Sequence, residues 1–363
     1  MITNDVKFDL NDIEPFPAEE SYINSRSECC VTQEFNLNNF LPLMASPMDT
    51  VVSEYNYKAF INNGIIPCLP RGINRDDIPI EKNQYFQAFG LCDIEKQLSY
   101  DLNIDKYRKI PYSYESYLSS FFYNYPNVLI DIANGNMSKL ISIIKKIKEK
   151  YPDIKLMIGN IANPKTFVNL ANAGADYVRC SIGTGAGCTT AANVAINYPL
   201  GSLISECYEL KKQYNLKTKI VVDGGMKNYS DIFKSLALGA DYVMIGSIFN
   251  KAIESAGFNY FYGIRIKYDL AKFLWKYNFP IKKKYRGMST KAVQRSWGKT
   301  KLVTAEGITK YQKVEYTLGQ WTENFKDYLK SAMSYTNAKT LDEFIGKVEI
   351  CRITKNAFDR FNK

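Results

Sequence analysis

A (β/α)8 barrel is the fold this sequence predicts, and three observations predict it. Short, continuously apolar runs alternate with helical patterns through the middle of the chain, the arrangement of parallel strands covered on their outer face. Each run ends in glycine, asparagine, aspartate or serine, residues suited to the strand carboxyl ends where barrels bind ligands. A doubly wound sheet would instead need a G-x-G-x-x-G turn opening a helix. "GTGAGC" (183–188) is followed by no clean helical pattern.

The elements follow in order. "FLPLMASPMDTVV" (40–52) and "INNGIIPCLP" (61–70) fit the first strands. "NVLIDIANG" starts a strand near 127, and "SKLISIIKKIKEKY" follows with isoleucines at helical spacing. "KLMIGNIA" near 155 leads into the helix pattern "PKTFVNLANAGA", and "DYVRCSIG" gives a strand near 177. "TKIVVDGG" near 218, the helix pattern "SDIFKSLALGA" and "DYVMIGSIF" near 242 continue the series. Residues 262–307 are long, polar and irregular in pattern and read as an active-site excursion. No composition shift marks a second domain, so a single barrel over 1–363 with a flap around 285–310 is expected.

Composition removes whole classes of chemistry. The 363 residues contain no histidine, which excludes Ser-His-Asp and Cys-His pairs and imidazole metal sites. Proton transfer falls to Glu, Asp, Lys, Arg, Tyr, Thr or Cys. Eight cysteines form no C-x-x-C pair, and the amino end lacks an apolar signal region. Reduced thiols in a cytoplasmic protein are expected. No run is long and apolar enough for a membrane span. The net charge of +10 suits anionic partners, but its basic runs are short and read as solvated faces plus a phosphate-bearing substrate. No nucleic-acid module is visible, and neither nucleic acid nor membrane is expected as a partner.

"SIGTGAGCTT" (181–190) sets Cys188 behind a glycine-rich loop. Glycines there let backbone groups approach a ligand or ion, and the cysteine reads either as a nucleophile or as a small residue that fits. Around it stand "NDVKFDLNDI", "SRSECCVTQEF", "SPMDTV", "DIANGN", "DGG", "VMIGS", "YRGMS", "AEG", "SAMSYTNAKTLDEF" and "EICRIT". In this order the motifs resemble the GMP reductase / IMP dehydrogenase family over nearly the whole chain. The likeness is closer to the reductase branch. Residues 74–130 leave too little chain for the paired CBS regulatory domains usual in the dehydrogenase. The stretch from Met288 to Glu306 also lacks the Arg-Tyr-Phe of its flap.

The resemblance implies NADPH-dependent reductive deamination of GMP to IMP and ammonia. It makes Cys188 the nucleophile on purine C2, with Thr190 and Glu306 as the proton relay. Asp223, at a strand end, is expected to accept both ribose hydroxyls. Gly225, Gly246, Ser247 and Tyr285 are expected around the phosphate and Ser46, Met48 and Met288 around the base, with Gly224, Gly287 and Ser289 also binding the substrate. For the cofactor the resemblance indicates Arg71, Asp131, Ala133 and Asn160, with Ser25 and Arg26 from a neighbouring subunit of a homotetramer. The carbonyls of Gly183, Gly185 and Cys188 match those that hold K⁺.

Several positions depart from the pattern. Ala186 replaces a phosphate-binding serine, Ala191 and Val303 replace arginines, and Pro70–Arg71 replaces His-Lys. A lost charge-assisted hydrogen bond costs about 1.5–3 kcal/mol, so weaker GMP affinity or a modified nucleotide is expected, unless Arg71 or Arg286 compensates. Two other readings stand beside the reductase. "SPMDTV" and "YRGM" favour an IMP dehydrogenase without regulatory domains, converting IMP to XMP with NAD. The lost basic residues favour a non-catalytic purine-nucleotide-binding barrel.

Overall fold

Alternation along each strand decides which side chains meet inside this molecule. The computed structural model describes residues 5–73, 82–104, 122, 125–296 and 304–361. Eight parallel strands form a closed barrel: β1 Leu43–Ala45, β2 Ile66–Leu69, β3 Phe86–Phe89, β4 Asn127–Asp131, β5 Lys155–Ile161, β6 Tyr177–Cys180, β7 Lys219–Asp223 and β8 Tyr242–Ile245. Closure is made where β8 returns to β1, with Val243 opposite Leu43 and Ile245 opposite Ala45. β3 carries no motif that sets it apart in the sequence.

Outward side chains such as Val128, Ile130, Ile220 and Val222 pack under the surrounding helices. Inward ones, among them Leu129, Met157, Tyr177 and Val221, fill the barrel. Its amino end is plugged by the hairpin of Gln33–Phe35 and Asn38–Phe40. Phe35 from that hairpin meets Phe86 and Tyr177 edge-on or tilted, at centroid distances of 5.5 and 6.4 Å. With side chains alternating at a period of two, the next inward layer holds Asp131, Gly159, Arg179 and Asp223. Charge therefore begins where the apolar filling ends, at the carboxyl rim.

The stretch after β8 is ordered, which corrects the expectation of an irregular excursion. It forms β9 Asn259–Phe261, β10 Ile264–Ile266, a helix over Tyr268–Lys276, β11 Ile281–Arg286 and β12 Thr309–Lys313. The strands make an antiparallel sheet in the order β10-β9-β11-β12. Ile253, Ala271, Ile281 and Val314 are its buried apolar centre. A period-two pattern is present in β11 but concealed, because Lys283 occupies a buried position between Ile281 and Tyr285. That ammonium donates to the carbonyls of Ser255 (2.5 Å) and Gly257 (3.3 Å). Of the flap expected around 285–310, residues 297–303, including Val303, lie outside the described residues. Among the described residues no helix is long and apolar enough to cross a membrane.

Candidate active site

The loop after β6 turns on glycines that have steric reasons to be glycine. Gly183 sits at φ 83°, and a Cβ there would stand 2.8 Å from the Ala191 Cβ. Gly287 passes so close to Gly187 that a Cβ on it would lie 2.4 Å from the Gly187 carbonyl oxygen. This closeness lets two distant segments pair. Thr189 N–H donates to the Glu306 carbonyl (2.8 Å), Ile308 N–H to Gly187 (3.0 Å) and Gly287 N–H to Ile308 (3.0 Å). Cys188 and Gly307 consequently face each other across an antiparallel bridge.

Pairing of the backbones brings three side chains into line. The Cys188 thiol donates to Thr190 Oγ1 at 3.1 Å, and Thr190 Oγ1 donates to Glu306 Oε2 at 2.5 Å. The backbone N–H of Thr190 points back at the sulfur, at 3.5 Å. Cys188 is partly exposed rather than buried, so the sulfur is open to a ligand. A thiol, a hydroxyl and a carboxylate in sequence form a route for one proton that needs no imidazole.

Beneath this loop lies a charged layer whose centre, Arg179, the sequence did not single out. Arg179 is 5% exposed; its Nη1 donates to Asp131 (2.7 Å) and its Nη2 to Asp223 (2.7 Å). Burial works against the charge, but Asp223 and Asp131 together hold the guanidinium well above its ordinary range. Its space is left by Gly159, where a Cβ would lie 2.5 Å from the Arg179 Cβ. Arg71 Nε adds a second cation to Asp131 at 3.1 Å, and Asn160 Nδ2 donates to Asp223 at 2.9 Å. An arginine inside an apolar strand, as in "DYVRC", was the available signal. Buried charge without partners is too costly to be incidental.

One cleft of about 1020 Å³ takes in these groups. Ser46, Met48, Arg71, Asp131, Ala133, Asn160, Gly183, Gly185, Cys188, Thr190, Asp223, Gly224, Gly225, Gly246, Ser247, Tyr285, Gly287, Met288, Ser289 and Glu306 all line it. Ser25 and Arg26 do not. They are exposed at a turn over Arg26–Glu28, with Glu28 near Lys339, away from the cleft of their own chain. Burial pushes the Tyr285 phenol well above its usual range, so it enters the cleft as a neutral donor.

Three expectations need adjustment. Asp223 already binds Arg179 and Asn160 through Oδ2, and only Oδ1, facing the Ser46 hydroxyl at 3.4 Å, is lightly used. Its carboxylate thus offers one open oxygen rather than two to a diol. Arg286 is clasped by both oxygens of Asp49 and does not line the cleft, so it does not replace a lost phosphate contact. The Gly185 carbonyl, expected to face a cation, also accepts the Cys188 N–H at 2.9 Å.

Comparison with known proteins gives a consistent result. Residues 124–360 match the model of the IMP dehydrogenase / GMP reductase domain. The GMP reductase of Caenorhabditis elegans is 27% identical over 99% of this chain and 96% of its own length. GMP reductase 2 of Homo sapiens is 24% identical over 100% and 99%. The inosine-5'-monophosphate dehydrogenase of Chlorobaculum parvum is 34% identical, but over 62% of this chain and only 45% of its own length. The chain thus spans less than half of that dehydrogenase and nearly all of the reductases.

Proposed function

The chain belongs to the IMP dehydrogenase / GMP reductase family, and from that premise we propose that it converts GMP to IMP and ammonia with NADPH, through a covalent bond between Cys188 and purine C2. The observation that carries the reading is the unbroken line from Cys188 Sγ through Thr190 Oγ1 to Glu306 Oε2 at the mouth of one cleft. Full-length likeness to reductases supports it.

A 2-amino group on an aromatic ring leaves poorly without a nucleophile and a proton. As the sulfur bonds to C2, the thiol proton passes to Thr190, and the Thr190 proton passes to Glu306. Reversal of that path returns a proton to the departing nitrogen as the C2–N bond breaks, and ammonia leaves. When bound, the nicotinamide supplies the hydride that takes the amino group's place on C2; the C2–S bond then breaks, IMP is released, and the Cys188 thiolate takes a proton from solvent. Asp131, Arg71 and Ala133 fit this cofactor as a charged and a small wall. Arg179 acts as a positioning residue, since it ties the cofactor-side Asp131 to the ribose-side Asp223. Gly246 and Ser247 open a short helical turn and, with Gly225 and Tyr285, would take the phosphate. Carbonyls of Gly183, Gly185 and Cys188 would hold K⁺ and brace the nucleophile loop. Ser25 and Arg26 would reach the cofactor of a neighbour in a tetramer.

NADPH absorbance with GMP and K⁺, run beside Cys188→Ala, tests the proposal. Wild type is expected to consume NADPH. The variant should lose about a thousandfold or more in turnover while calorimetry still registers GMP. An active Cys188→Ala enzyme would sink the mechanism. The higher identity to dehydrogenases over the matched part favours a second reading, IMP oxidation with NAD⁺. It takes over if the first assay is silent and NADH appears from IMP. Silence in both with purine-nucleotide binding intact would leave a binding-only barrel.

A further inference from the structure

The outer face of the appended sheet carries a surface that the proposed reaction does not use. Strand register gathers it from four separate strands. Arg265 lies opposite Tyr260, Tyr260 opposite Lys282, and Lys282 opposite Lys313, a continuous row across the whole sheet. One step along, on the same face, Lys284 lies opposite Tyr311, which is 54% exposed. Tyr260 and Tyr311 meet edge-on at 5.0 Å. The Arg265 guanidinium stacks over Phe258 at 3.5 Å.

The charge is concentrated here. Residues 258–286 hold eight lysines and arginines against one aspartate, in a chain whose net charge is +10; Arg265, Lys282 and Lys284 of these lie on this face, joined by Lys313. No strand of the sheet contains a carboxylate. Among the described residues none of Arg265, Lys282, Lys284 and Lys313 makes an ion pair; the ion pairs present join other residues. Two lysines directly opposite each other destabilise a sheet, so the arrangement is not explained by folding. It suits a polyanion.

From these features we infer that this face binds single-stranded nucleic acid, with phosphates on the cations and bases stacked on the tyrosines. The short basic runs of the sequence do not display the row, because its cations come from three strands. An anionic bilayer is a poorer fit. The face offers aromatic rings but no aliphatic side chain to enter hydrocarbon, and the exposed Leu270 and Phe273 belong to the helix rather than to this strand face.

Fluorescence anisotropy of a labelled oligo(dT) with the full chain tests the inference. Four phosphate contacts give a slope of log affinity on log salt of about −3, hence about fiftyfold weakening between about 50 and 200 mM salt. Lys282→Gln/Lys313→Gln should halve that slope, and Tyr260→Ala should weaken binding about tenfold. The double variant removes opposed like charges, so its melting temperature should be unchanged or raised, which separates lost contacts from lost fold. Three results would overturn the inference. One is no saturable binding at low salt. Another is binding by the double variant with the wild-type slope. The third is capture by phosphatidylserine vesicles through these residues with oligo(dT) ignored. None of these bears on whether GMP is reduced.

Discussion

Two regions of this molecule handle positive charge in opposite ways. At the barrel rim, Arg179 is forked between Asp131 and Asp223, and Arg71 leans on the same Asp131. On the appended sheet, Lys282 and Lys313 face one another with no acid among the strands. The difference follows from solvent. A guanidinium that is 5% exposed has lost its hydration and must be repaid in hydrogen-bonded carboxylates, whereas an exposed ammonium keeps its water and tolerates a like neighbour at small cost. Paired charge in the rim fixes geometry. Unpaired charge on the sheet has no structural return and points outward, to a partner.

Breaking the rim is the largest effect expected. Arg179→Met leaves two partly buried carboxylates facing each other. Loss of one partner of a buried pair costs about 3–5 kcal/mol, and urea unfolding should record a loss of that size. Arg179→Lys should recover only part of it, because a shorter side chain ending in one nitrogen does not reproduce the planar spread of Nη1 and Nη2 between the two acids. If Arg179→Met unfolds within about 1 kcal/mol of wild type, the rim charges are no more dependent on pairing than the sheet's, and the contrast fails.

How far the sequence carried this picture depends on the same contrast. The barrel was visible because seven of its strands are apolar runs closed by small polar residues, as in "NVLIDIANG" and "TKIVVDGG". Cys188, Thr190 and Glu306 were nameable by resemblance. That they line up depends on the Gly187–Gly287 approach, a contact between residues a hundred positions apart that no local pattern encodes. Arg179 was missed because it was read as one letter in an apolar strand, although its inward position two residues beyond Tyr177 places it at the rim. The sheet was missed for the converse reason. A lysine at the buried Lys283 position broke the alternation that would have marked β11 as a strand.

Lys283 gives the second prediction, because it is buried like Arg179 but donates to carbonyls rather than carboxylates. Burial lowers its pKa to about 7, partly opposed by Glu254. Between that value and the ordinary lysine range the unfolded chain holds a proton that the folded chain does not. Stability from this group therefore rises as pH increases from about 7 towards 10, by a few kcal/mol in all. Lys283→Met removes the group, so the wild type should gain stability relative to that variant as pH is raised from about 7 to 9.5. A constant difference between the two across that range would mean that the two carbonyls of Ser255 and Gly257 keep the ammonium charged, and that the buried cation is paired after all.

The smallest effect sharpens the contrast from the exposed side. Lys313→Glu turns the like pair with Lys282 into an opposite pair at the same register position. Cross-strand pairs of this kind change stability by about 0.2–1 kcal/mol, so chemical denaturation at low salt should show a gain of that order. Because Lys313 is exposed, the gain should shrink as salt rises and fade by about 1 M, where the screening length is about 3 Å. A weaker salt dependence is expected for Arg179→Met, whose carboxylates are only partly exposed. If both variants respond to salt alike, the barrel rim and the sheet share one electrostatic environment. If only Lys313→Glu does, the unpaired lysines are held apart from their own fold's carboxylates and remain available to bind phosphate.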